Sequence, residues 1–165
     1  MRRPLLLASL LLLAIAATGE AAPTAPAFRV KTLDGRRTID TRELLGKKVL
    51  VLRFQASYCK PCAKEAGPLT RIAERYRDRD VEVVAIHVQD TAADARAFAR
   101  THKMTIPIVL DPRLTIGNRF GFKGSPYTVV IDRRGEMVAR IHGESAVTRL
   151  PRLLDAALAQ DAPGS

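Results

Sequence analysis

The stretch RFQASYCKPCAKE, Arg53 to Glu65, decides the reading of this chain. It holds both cysteines, Cys59 and Cys62, two residues apart. Before it runs KKVLVLRF, apolar and β-branched enough for a buried strand. After it, Leu69, Ile72, Ala73 and Tyr76 recur at helical spacing, so the cysteines sit where a strand hands over to a helix. Free N–H groups and the dipole at a helix N-terminus favour a thiolate and lower the pKa of a cysteine that faces them. The spacing lets Cys62 come round one turn to the sulfur of Cys59. A dithiol/disulfide couple leads; a metal site and a structural disulfide stay open.

Outward from the pair, the chain punctuates itself clearly. Toward the C-terminus, VEVVAIHV (residues 81–88) reads as a second central strand, and Thr91 starts a helix to about His102. Pro107 to Leu110 is short and apolar, and Asp111-Pro112 is expected to open a helical turn. Gly124-Ser125-Pro126 leads into a strand over 127–131, a turn at 132–135 and a partner strand over 136–141. Leu150, Leu153, Leu154 and Leu158 stripe a last helix over 146–159. Toward the N-terminus, 27–33 and 37–40 flank Asp34-Gly35 as a hairpin, and 41–45 forms one helical turn. The helix bearing the cysteines is expected to end near residues 78–80. Strand–helix–strand–helix followed by a hairpin and a helix describes an α/β sandwich with parallel central strands. Burial on both faces explains why the central strands barely alternate.

Composition agrees with one domain. The 165 residues are 47% hydrophobic and 27% charged, which excludes a disordered chain. Two cysteines exclude a multi-disulfide scaffold. The net charge of +10 suits acidic partners, but the basic residues form no run or aromatic-interleaved stripe, so no nucleic-acid partner is expected. Arg2 and Arg3 precede an apolar run from Leu5 to Ala17, shorter than the roughly 20 residues of a membrane span. Gly19 and Ala21 then offer a small-x-small cleavage site. The N-terminal 1–21 therefore reads as a secretory signal peptide, or as an anchor if uncleaved, and the protein as exported to the periplasm. Residues 22–26, with Pro23 and Pro26, form a linker; 27–161 is the folded domain and 162–165 a tail.

This succession resembles the thioredoxin superfamily, in particular the exported TlpA-type, ResA-like thiol–disulfide oxidoreductases. The likeness runs from APAFRVKTLDGRRTI through GKKVLVLRF, CKPC with Glu65 behind it, VVAIHV, IPIVLD and GSPYTVVIDRRGEMV. It implies a thioredoxin-like three-layer sandwich, a central mixed sheet flanked by helices, with an N-terminal β-hairpin extension. It implies that Cys59 is the exposed nucleophile, Cys62 the buried resolving thiol, and Glu65 an acid assisting proton transfer at them. Pro126 would be the cis-proline facing the disulfide, and Ser125 would offer its backbone to an extended substrate; Tyr58, read from its position alone, lines the substrate groove or packs beside the first cysteine. Lys60 would favour the Cys59 thiolate, and Pro61 suits a helix start because its missing N–H is not needed there. No cofactor is implied. The implied partners are protein dithiol or disulfide substrates, such as apocytochrome c, and a membrane-bound thiol–disulfide electron donor.

The chain departs from that pattern at three places. Gln55-Ala56-Ser57-Tyr58 stands where the family has Trp-Ala-x-Trp, Arg53 stands where thioredoxins bury an acid, and an extra residue separates Glu65 from Pro68. Three other activities fit a thioredoxin-like fold. A disulfide-forming oxidant would use the same residues. Copper handling would place a histidine by the loop that here reads Ser125-Pro126-Tyr127, whereas the histidines are His87, His102 and His142. A peroxidase would need Pro-x-x-x-Thr-x-x-Cys, which Ala56-Ser57-Tyr58-Cys59 does not match.

Overall fold

The computed structural model of the protein describes residues 22–160. The expected leader (1–21) and tail (162–165) lie outside the described residues. A small antiparallel hairpin, β1 (Arg29–Lys31) and β2 (Thr38–Asp40), comes first, with Val30 opposite Ile39. Asp40 caps the single-turn helix α1 (Thr41–Leu44) by accepting from the Arg42 N–H. Residues 22–26, expected as a linker, run beside the turn before β7: Ala25 N donates to Gly135 O at 2.8 Å and Met137 N to Pro23 O at 2.8 Å.

The main sheet has the order β5-β4-β3-β6-β7. Its strands are β3 (Val49–Gln55), β4 (Val81–Val88), β5 (Ile108–Asp111), β6 (Tyr127–Ile131) and β7 (Met137–His142). The first three are parallel, and β6 and β7 join antiparallel, so the sheet is mixed as expected. The near-continuous burial of β3 and β4 has the cause anticipated for them. Leu50, Leu52 and Phe54 belong to one core with Val84, Ile86 and Phe120, while Val49 and Val51 belong to the other with Leu69, Ile72 and Leu150. Helices α2 (Lys60–Tyr76) and α4 (Ala146–Ala159) share that second core and are tied together by the Tyr76 hydroxyl, 3.1 Å from Pro151 O and 3.0 Å from Asp155 Oδ1. Helix α3 (Ala92–Thr101) sends Phe98 into the first core; its N-cap is Thr91, which accepts from Asp94 N. None of these helices is long and apolar enough to cross a membrane.

Two local expectations are corrected. Helix α2 stops at Tyr76 rather than near residues 78–80, because Arg77 and Arg79 donate three residues back in a tightening turn. No helical turn starts at Asp111-Pro112 either. Asp111 ends β5, Pro112 has no N–H to give, and Leu114 is left-handed at φ 57°. The Asp111 carboxylate instead accepts from Ile116 N at 3.0 Å and Gly117 N at 2.7 Å, and the helical turn forms later, as 3-10 geometry over Gly117–Phe120.

Candidate active site

Strand β3 delivers the chain to the C-terminal edge of the parallel strands, where ligand crevices of α/β sheets form. Ala56, Ser57 and Tyr58 make the crossing, and Cys59 is the N-cap of α2. Its Sγ accepts from the Cys62 N–H at 3.2 Å, so the sulfur occupies the place that a serine or aspartate oxygen takes in other helices. Pro61 lies in the first turn, where its absent N–H costs nothing. The two sulfurs are joined as a disulfide, with the Cα atoms 5.2 Å apart. Cys59 keeps 7% of its surface exposed and Cys62 none, so one member of the pair reaches the surface and the other does not.

Cys59 opens on a groove of about 700 Å³. Tyr58, Lys60 and Pro61 line it on the cysteine side, and Ser125 lines it from the loop before β6. The Ser125–Pro126 peptide bond is cis. The loop and the cysteines, 66 residues apart in sequence between Cys59 and Ser125, thus share one surface depression. Tyr58 is 67% exposed and is the one large hydrophobic side chain so placed among the described residues, which puts it at the mouth and not in the core. Pro126 is buried behind Ser125, whose hydroxyl has no hydrogen-bond partner among the described residues.

Beneath Cys62, one helical turn on, Glu65 is buried and paired with Arg53, itself fully buried at the centre of β3. Arg53 also donates from Nη1 to Thr128 Oγ1 at 3.1 Å across the β3–β6 ladder. Burial pulls the guanidinium below its ordinary pKa, and the carboxylate of Glu65 opposes that pull. The residue that departs from the thioredoxin pattern at position 53 is therefore the counter-ion of Glu65.

A second buried polar group supports the approach to Cys59. Asp90 Oδ2 accepts from Ser57 N at 2.7 Å, and its Oδ1 accepts from Ser57 Oγ at 2.7 Å. Asp90 Oδ2 also lies 2.6 Å from His87 Nδ1, and the other ring nitrogen of His87 is 2.8 Å from Gln55 Nε2. The amide nitrogen of Gln55 can only donate, so His87 Nε2 accepts and the ring is neutral, with its proton on Nδ1 toward Asp90. Burial lowers the His87 pKa, and Asp90 partly restores it. Gln55 replaces a family tryptophan and pairs in register with His87 across β3 and β4. The signal for this role of His87 in the sequence is Asp90, three residues on, at the end of an apolar run. The other histidines pack on rings, His142 on Tyr127 at 4.3 Å and His102 on Phe98 at 4.4 Å.

A joined cysteine pair with one member at the surface, capping a helix beside a groove, is an arrangement for thiol–disulfide exchange. Comparison with known proteins agrees. The model of the AhpC/TSA family matches residues 21–140. Thiol-disulfide oxidoreductase ResA from Bacillus thuringiensis is 30% identical over 126 residues, 76% of this chain and 72% of the relative. Thioredoxin-like protein YneN from Bacillus subtilis is 34% identical over 121 residues, 72% of this chain and 68% of the relative. A thioredoxin family thiol:disulfide interchange protein from Chlorobium tepidum superposes with a TM-score of 0.75 at 23% identity, covering 85% of this chain and 99% of that one, a likeness of fold.

Proposed function

Because the chain belongs to the AhpC/TSA family and is a thiol–disulfide oxidoreductase built on Cys59 and Cys62, we propose that it reduces disulfides of exported proteins. The supporting observation is the asymmetry of the pair: Cys59 opens on the groove and Cys62 is closed behind it. In the reduced protein the Cys59 thiolate attacks one sulfur of a substrate disulfide. An S–S bond forms between Cys59 and that sulfur, and the other substrate sulfur leaves as a thiolate. The Cys62 thiolate then attacks Cys59, the mixed disulfide breaks, and the substrate departs with two electrons gained. The enzyme is left as the Cys59–Cys62 disulfide.

Each neighbour has a role in this scheme. The helix N-terminus and Lys60 favour the Cys59 thiolate, and Pro61 starts the helix that supplies the dipole. Glu65, held by Arg53 one turn below Cys62, takes the Cys62 proton as that sulfur becomes the attacking thiolate. Ser125, set by its cis bond to Pro126, presents backbone to an extended substrate segment, and Tyr58 packs on it. The exported location rests on the basic and apolar N-terminus, and the source of electrons proposed, a membrane-bound thiol–disulfide donor, is the one the family resemblance implies. The cysteine pairs of apocytochrome c are the substrate that the family resemblance implies, and cytochrome c maturation is the process proposed for the protein.

The experiment is disulfide reduction by the purified protein, recycled by a dithiol. Wild type should reduce a protein disulfide, Cys59→Ser should be inactive, and Cys62→Ser should accumulate a mixed disulfide on Cys59. A redox potential near the oxidising end of the thioredoxin-fold range would overturn the reducing direction. Equal activity of Cys59→Ser and wild type would overturn the mechanism.

A further inference from the structure

The groove at Cys59 is basic, apolar in part, and unneutralised. Lys60 follows Cys59 directly, and Lys123 comes from the loop that carries Ser125; both are exposed and both line the groove. Neither forms an ion pair within the described residues, whereas Lys64, one turn further along α2, faces Glu144 at 3.8 Å. Among the described residues no carboxylate lines the groove. The acid nearest to it in sequence, Asp90 after Gln89, is buried and already holds Ser57 and His87. Tyr58, Leu114 and Phe122 supply the apolar part of the lining.

Such a surface discriminates among substrates by charge. A basic segment laid in the groove brings like charges together, and a neutral one covers two ammonium groups without giving them a partner. A segment carrying Asp or Glu beside its cysteine satisfies both lysines. We propose that this groove selects protein disulfides whose cysteines are flanked by acidic residues, with an aromatic or aliphatic residue seated against Tyr58 and Phe122. The proposal rests on the reading that Cys59 attacks protein disulfides, and it names the class of substrate. It also makes Lys123, remote from the cysteines in sequence, a specificity-determining residue.

The test uses three disulfide-bridged peptides of equal length, each with one aromatic residue, whose cysteines are flanked by Asp and Glu, by Ser, or by Lys. The full protein is recycled by dithiothreitol and kcat/KM is measured for each peptide. Two exposed lysines, each pairing with an acidic residue in a surface ion pair, predict roughly tenfold preference for the acidic over the basic peptide at low salt. That preference should shrink toward unity near 1 M salt, where the Debye length is about 3 Å. Lys123→Glu should lower the ratio about fivefold or more by removing one such attraction and adding a repulsion, and Lys123→Arg should keep it. Lys47→Glu, exposed at the opposite end of β3, should also leave the ratio unchanged if the groove and not the net charge is responsible. Equal rates for the three peptides at low salt, or an unchanged ratio in Lys123→Glu, would overturn the selectivity while leaving disulfide reduction intact. Failure to reduce any of the three would overturn both.

Discussion

Arg53 is the residue on which the interior most depends. A guanidinium with no exposed surface is tolerable only because Glu65 and Thr128 surround it. Removing one partner leaves the other charged and buried, so Arg53→Met should destabilise the fold by about 3–5 kcal/mol in urea denaturation. The double variant Arg53→Met, Glu65→Met removes both charges and should recover most of that loss. A recovery of stability without recovery of disulfide reduction would separate the structural part of the pair from its part in proton transfer. His87 makes a different prediction. Its folded-state pKa lies below the ordinary value of 6.5, so the unfolded chain takes up the proton first as pH falls. The stability from burying the neutral ring is complete above about pH 6.5 and declines as pH drops through that value toward the folded-state pKa. Denaturation midpoints between pH 8 and pH 5 should show this slope, and His87→Gln should flatten it.

At the scale of elements, the site is held by side chains that finish strands. Asp90 follows β4 and fixes Ser57 through two hydrogen bonds, so the approach to Cys59 is tied to a neighbouring strand end. Asp111 finishes β5 and caps Gly117–Phe120, which in turn holds Phe120 under Tyr127 and Phe28. Charged hydrogen bonds of this kind are worth about 1.5–3 kcal/mol each, and buried amides would lose their acceptor. Asp90→Ala should therefore speed hydrogen exchange at the Ser57 amide. It should also change the alkylation rate of Cys59 in the reduced protein, because the N-cap loop loses its support. Slow exchange at Ser57 in that variant would show that the loop does not depend on Asp90. The end of α2 and the segment after β5 were the places where pattern and structure differed. Hydrophobic period marks the body of a helix, but its ends are set by tertiary partners such as Tyr76 on α4 or Asp111 on Gly117.

At the scale of the molecule, the hairpin of β1 and β2 forms a separate small sheet yet belongs to the main core. Phe28 is buried edge-on against Phe120, ring centres 5.9 Å apart, and Ile39 is 2% exposed. Phe28→Ala should cost roughly 3–5 kcal/mol by the usual cavity penalty, measured in thermal or urea unfolding. A single cooperative transition would show that the hairpin unfolds with the domain; a separate early transition would show that it is an appendage. Its presence and its position before β3 were legible from the alternation around Asp34-Gly35, as were the mixed sheet and the four helices. Those features come from local rules of period, turn chemistry and capping, which act within a few residues. The chain by itself also determined that Cys59 and Cys62 would begin a helix, since strand, loop and helix follow one another there. What it left open is everything that joins distant positions: Arg53 to Glu65 and Thr128, Gln55 to His87, Asp90 to Ser57, and Lys123 to the groove of Cys59. Period tells which face of a strand is buried but not which neighbour it meets. Only the packing of α2 over β3 decides that a lone arginine has a carboxylate beside it, and only the pairing of β6 with β3 that a lysine before β6 shares its groove with a cysteine after β3.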